Sequence, residues 1–399
     1  MTKPGDLKIT DVQVIVMAGN FDWPIVRIET DAGIYGYGEA FGWPSGRMIK
    51  KAILDRKLVL LGENPTEIVP LVTRLSLSPF DNVGAKAISG IEMALWDITG
   101  KVLGTPVYKL LGGRYRDKVR IYCDCHGGTA IRTLEDYSFD CPEDYTPEAF
   151  AANARRIKEM GFTLLKFDLY GAPEELVAQH GAMHSCAHIN YYTEVVKTLR
   201  EEIGWEVDLA IDYTGKSTAD AIRILKQVEE YRLSWAEDII LFQGLNVKAM
   251  TEVTRAVVTP TLTGESLCGV MAFRALCEGQ AIRLLAPDLA VVGGIHEMRK
   301  VAELANLHHI LVAPHNICSP VGTMAAVHVS ATIPNFVGLE YHAVGVPWWQ
   351  DVVQHEGDII DERGYIKVPD TPGIGVELNE AVVREHLAEG ETYFDARSS

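Results

Sequence analysis

Three short stretches decide the fold: VDLAID at residues 207–212, LSWAE at 233–237 and TLTGE at 261–265. Each is an apolar run that ends in or runs into an acid, namely Asp212, Glu237 and Glu265. A carboxylate is costly to bury alone, so three of them capping successive hydrophobic strands point to a cation between them, read here as a divalent metal.

Downstream of Asp212, polar strand ends recur at Glu237, Glu265, Asp288, His315 and Glu340, roughly 25 residues apart, the length of one strand plus one helix of a parallel barrel. The gaps at 219–231, 248–258, 270–279 and 295–308 carry helix-like periodicity. Each of these acids and His315 would then stand on one mouth of the barrel, the C-terminal one, where such folds build their chemistry. A single acid there reads most simply as a helix cap or loop residue. A whole register of them does not.

The chain has 399 residues, more than one average core needs, and 47% of them are hydrophobic, so two domains with large cores are expected. A net charge of −17 argues against nucleic acid and anionic membranes as partners. An anionic substrate is still compatible, because a metal and a few lysines invert the local potential. Seven scattered cysteines without a CxxC pair suit a reducing, cytoplasmic setting. The opening MTKPGDLKIT lacks the apolar centre of a signal peptide, and no apolar run approaches membrane-spanning length.

In chain order, residues 7–16, 25–30 and 34–39 read as strands. The loops between and after them contain Asn20, Trp23 and Arg47, candidate substrate contacts. From residue 48 to 111 the pattern turns helical; in AKAISGIEMALWDITGKVLG, Ile88, Ile91, Leu95, Ile98 and Val102 share an apolar face. Residues 119–123 begin the barrel. An irregular insertion between Cys125 and Pro147 would overhang the mouth and bring His126 to the substrate. The strand FTLLKFD sets Lys166 and Asp168 on one side. A second insertion at 170–190 carries His180, His184 and His188, which lack the acid or cysteine partners of a zinc set. The expected division is an α+β capping domain at 1–118, a barrel at 119–345 and a tail at 346–399 that returns to the cap.

These pieces resemble the enolase superfamily, specifically its mandelate racemase/muconate lactonizing enzyme branch with its many acid sugar dehydratases. The matching motifs are GYGEA, ALWDITGK, KLLGG, KFD at Lys166, AID at Asp212, AED at Glu237, GES at Glu265, APDLAVVGGI at Asp288, APHN at His315 and GLE at Glu340. The resemblance covers nearly the whole chain and implies a modified TIM barrel, (β/α)7β, with a cap built from both termini. It also implies one Mg2+ held by Asp212, Glu237 and Glu265. Abstraction of a proton next to a carboxylate creates an enediolate that needs concentrated positive charge, which a hard cation and Lys166 would supply. His315, oriented by Asp288, would be the general base or acid, and Glu340 would hydrogen-bond the developing enediolate.

Two departures shape the functional expectation. Racemases of this branch resemble one another in a Lys-x-Lys pair, and here the second lysine is replaced by Asp168. Elimination needs less than racemisation, since His315 can take the α-proton and then help the β-hydroxyl leave. Some dehydratases carry a histidine two residues after the first metal ligand, whereas this chain has Thr214, counted here as a substrate contact. The expectation is therefore dehydration of a sugar acid to a 2-keto-3-deoxy acid, with racemisation or epimerisation second and Asp168 as a candidate second base. A non-catalytic small-acid binding protein would be expected to have lost His315 or a metal ligand, and all are present. A homo-oligomer is expected because barrels of this kind often associate through helix faces.

Overall fold

The computed structural model describes residues 7–127, 145–169, 176, 183–213, 215, 217–240 and 246–394. Strands β1 (Ile9–Ala18), β2 (Asp22–Thr30) and β3 (Tyr35–Glu39) form an antiparallel meander. The long helix Asn82–Leu103 packs directly on it. This contact explains the glycines of GYGEA: a Cβ on Gly36 would lie 2.2 Å from Ala94 O, and one on Gly38 would lie 2.0 Å from Gly90 O. Only glycine lets the sheet and helix backbones approach this closely.

The helix does not bury one face only. Ile88, Ile91, Leu95 and Ile98 join the core of the meander, while Met93 belongs to the large barrel core. Its buried acids are tied to backbone. Glu92 accepts from Ile295 N at 2.7 Å and His296 N at 2.9 Å, the start of a barrel helix. Asp97 accepts from Tyr37 N and Ile374 N, both at 2.9 Å, joining cap and tail. The apolar face read from the sequence is core, with Val102 packed at its partly buried end; the helix also reaches the barrel core through Met93, and its buried acids serve as joints.

The barrel comprises β4 (Lys118–Cys125), β5 (Leu164–Asp168), β6 (Asp208–Asp212), β7 (Ala236–Glu237), β8 (Thr261–Thr263), β9 (Leu284–Leu285), β10 (Leu311–Val312) and β11 (Leu339–Tyr341). They pair in parallel, in chain order from β4 to β10, with β11 beside β4. Val312 bridges Phe336 on the approach to β11, and Val337 N bonds Val312 O at 2.9 Å, which joins the two ends of the curled sheet. A principal helix fills each of the seven intervals, from Pro147–Glu159 to Pro320–Ala331, giving the expected (β/α)7β order. Past β11 the chain returns twice. Strand β12 (Tyr365–Lys367) pairs antiparallel with β4, and Leu387 bridges Met17 of β1. No helix of the described residues is long and apolar enough to cross a membrane.

Candidate active site

Strand β5 places the central cation. Its five residues LLKFD are all buried, and alternation sends Leu165 and Phe167 into the hydrophobic core while Lys166 and Asp168 line the cavity at the barrel mouth. Lys166 Nζ lies 2.8 Å from Glu340 Oε1, 3.1 Å from Glu237 Oε2, 3.4 Å from Asp124 Oδ1 and 3.8 Å from Asp212 Oδ2. Burial alone would lower its pKa, but Asp124, Glu237 and Glu340 hold it well above the usual lysine value. Asp212 and Glu237 are register neighbours on β6 and β7. Burial, and after it the repulsion of Asp212, Glu340 and Glu265 against the pull of Lys166, drives the Glu237 pKa upward. Glu237 Oε1 is buried without a hydrogen-bond partner.

The strands are short, so Glu265, Asp288 and His315 stand two to three residues beyond the ends of β8, β9 and β10. Asp288 does two jobs. Its Oδ1 caps the helix Leu289–Val292 by accepting from Ala290 N at 2.6 Å, and its Oδ2 lies 2.6 Å from His315 Nδ1. Asp288 is thus both a helix cap and the partner that fixes His315. His315 Nε2 is then directed inward, 3.6 Å from Glu265 Oε2 and 3.9 Å from Glu340 Oε2. Burial opposes protonation of His315, but Glu340, Glu265 and Asp288 together raise its pKa well above that of an ordinary histidine. Glu340 Oε2 also accepts from Tyr122 OH at 3.1 Å.

A second polar group lies beside Lys166. Asp124, His126, Asp168 and His342 bring their ligand atoms within 4.8 Å of one another, a set able to hold a metal ion. His126 Nδ1 is 3.3 Å from Asp168 Oδ2, and His342 Nε2 is 2.7 Å from Asp124 Oδ2. Asn20 donates to His342 Nδ1 at 3.1 Å, so it supports this layer from behind. The Asp168 pKa is raised by burial and by the charges of Asp124 and Asp212.

Asp124 and His342 escaped the sequence reading, which ended the first barrel strand at Cys123; β4 runs on to Cys125. Period two was the missed signal, since Asp124 follows Tyr122 and His342 follows Glu340 on the same sides.

The cavity over these groups measures about 640 Å³, and the cap closes it with Phe21, Phe41, Trp43 and Lys86. Two loop residues expected at the substrate are placed elsewhere. Trp23 is 1% exposed, donates to Ile317 O at 3.1 Å and packs on Trp348, because its large apolar ring is better buried. Arg47 is exposed and donates to Glu389 O in the returning tail. Thr214 and His180 lie outside the described residues, as does most of the insertion after Cys125. His184 precedes the N-cap Ser185 of helix Cys186–Ile203, and its ring packs edge-on against that of His188 with centroids 5.3 Å apart.

Comparison with known proteins decides the family. Residues 15–112 match the N-terminal domain of mandelate racemase/muconate lactonizing enzyme, and residues 149–382 match the enolase C-terminal domain-like family. The chain belongs to the mandelate racemase/muconate lactonizing enzyme family. D-xylonate dehydratase of Haloferax volcanii is 39% identical, with 98% of this chain and 91% of that protein covered. D-galactonate dehydratase of Ralstonia pickettii is 31% identical, covering 92% and 91%. Among solved structures, a mandelate racemase/muconate lactonizing enzyme-like protein of Rubrobacter xylanophilus superposes with a TM-score of 0.88 at 32% identity, covering 98% of this chain and all of that one. Family membership and the gathered donors support a divalent metal at this mouth.

Proposed function

We propose that this protein is an acid sugar dehydratase that removes the proton α to a carboxylate and expels the β-hydroxyl, giving a 2-keto-3-deoxy acid. The observation that carries the reading is the His315–Asp288 pair directed at the same cavity as the Lys166 ammonium, with a carboxylate, Asp168, where a racemase would place its second lysine. The names of the relatives point the same way, and D-xylonate is the first acid to test.

Asp212, Glu237 and Glu265 are the proposed ligands of one Mg2+. An all-oxygen acidic set suits a hard cation better than the histidine-containing group around Asp168 does. The partnerless Glu237 Oε1 and the approach of Lys166 to Asp212 and Glu237 both fit a site built for positive charge. When bound, the metal would supply charge to stabilise an enediolate. Lys166 would orient the substrate carboxylate. Held by Asp288 at Nδ1, His315 exchanges protons at Nε2, first with the α-carbon and then with the departing hydroxyl. Glu340, bonded to Lys166 and Tyr122, faces the same oxygens.

The His126–Asp168 pair favours a second reading, racemisation or epimerisation with that pair as the second proton-transfer group. The proposed domain division remains 1–118, 119–345 and 346–399, and a cytoplasmic homo-oligomer is part of the proposal. Incubation with Mg2+ and pooled hexonic, pentonic and hexaric acids in D2O tests the chemistry. Keto acid that disappears in His315→Asn supports dehydration; α-deuterium uptake without keto acid supports epimerisation. Absence of both signals, together with absence of binding, refutes both readings.

A further inference from the structure

The cap helix Asn82–Leu103 carries one cation before Lys101, and it is Lys86. This residue is 3% exposed and lines the cavity that also holds Lys166, Glu265 and His315. Its ammonium donates to Trp43 O at 2.7 Å and stands 4.5 Å from the Phe41 ring centre. Among the described residues no carboxylate lies within ion-pair distance of it.

An ammonium has three N–H donors, and Lys86 spends one. Burying the other two without acceptors is costly. Holding the 40–45 loop through the Trp43 carbonyl therefore accounts for only part of what this lysine offers. One turn earlier on the same helix face, Asn82 also lines the cavity; its Nδ2 donates to Ser266 O at 3.2 Å, leaving its Oδ1 available as an acceptor. This wall is opposite in character to the catalytic one, presenting uncommitted donors and an acceptor rather than ligands or proton carriers.

The charge inventory says what these groups take. Among the described residues the cavity is lined by the carboxylates of Asp124, Asp168, Asp212, Glu265 and Glu340 against two ammonium groups, Lys86 and Lys166. A second anionic group on the substrate would enter a field that is already negative. An uncharged hydroxyl oxygen satisfies the spare donors of Lys86 without that cost.

We propose that Lys86, with Asn82, forms a subsite for the distal hydroxyl of the sugar acid, so that chain length is read by the cap helix. This rests on the sugar-acid reading above. The test compares kcat/KM of wild type and Lys86→Met on D-xylonate and on its 5-deoxy analogue, with Mg2+ present. The expected result is a loss of about 10- to 100-fold for Lys86→Met on D-xylonate, the range of a hydrogen bond from a charged donor, and less than about 2-fold on the deoxy analogue, whose missing hydroxyl removes the partner. Lys86→Gln keeps a donor for the Trp43 carbonyl and replaces Lys86→Met if the latter fails to fold. Equal losses on both acids overturn the subsite and leave Lys86 as a loop anchor. Preference of the wild type for the C5 dicarboxylate, abolished in the variant, overturns it in favour of an anion site. A wild type that neither turns over nor, by calorimetry, binds any pooled sugar acid overturns the sugar-acid reading itself.

Discussion

Replacing Asp288 by asparagine separates the two jobs that this side chain performs. Oδ1 caps the helix Leu289–Val292, and Oδ2 orients His315 at 2.6 Å. Asparagine is as good an N-cap as aspartate, so Asp288→Asn should fold with little loss of stability. It replaces a charged acceptor, and a hydrogen bond to a charged group contributes about 1.5–3 kcal/mol. If that is felt in the transition state, kcat falls about 10- to 150-fold at 1.36 kcal/mol per decade. Asp288→Ala loses the cap as well and should be less stable by a further 0.5–2 kcal/mol or about that. The assay is keto acid formation from the accepted sugar acid, with urea unfolding of each variant. On a His315→Asn background the Asp288→Asn change should cost almost nothing more, because residues that act as one unit are not additive. A loss of the same size on both backgrounds, or a kcat within about 2-fold of wild type, would refute the pairing as a catalytic device.

Other outcomes follow from the same geometry. Lys166→Met leaves Asp124, Glu237 and Glu340 without their shared cation; metal-free protein should lose about 3–5 kcal/mol, and Mg2+ should raise its melting temperature more than that of wild type, an expectation defeated by equal shifts. His328 is buried with Tyr108 N at 3.3 Å from Nδ1 and Ile374 O at 3.2 Å from Nε2, and burial depresses its pKa from 6.5 to about 4. The folded value lies below the unfolded one, so stability is full above pH 6.5 and falls as pH drops toward 4, by about 3 kcal/mol in total. His328→Gln should flatten that limb in pH-dependent urea unfolding, and an unchanged slope would contradict the assignment. Gly38→Ala drives a Cβ to 2.0 Å from Gly90 O and should destabilise by about 3 kcal/mol or more in the same measurement; near-neutral behaviour would show that the cap sheet and helix can separate.

The order of the barrel could be read from the chain because its signal is local and repetitive. Each strand is an apolar run with a polar end, and the interval between ends is set by the length of one strand and one helix. Helices expected at 219–231, 248–258, 270–279 and 295–308 appear at Thr218–Gln227, Val247–Ala256, Val270–Glu278 and Ile295–Leu307. Tertiary structure decided what depends on contacts far apart in sequence. Trp23 carried the same loop context as Phe21, but packing against Trp348, 325 positions away, took it from the cavity. Asp124 and His342 form one pair only because β11 lies beside β4. Nothing in the sequence singled out Lys86, because only the laying of its helix across the barrel mouth brings it to the cavity wall. Periodicity reports which side of an element a residue occupies; only closure of the barrel and docking of the cap report what stands opposite.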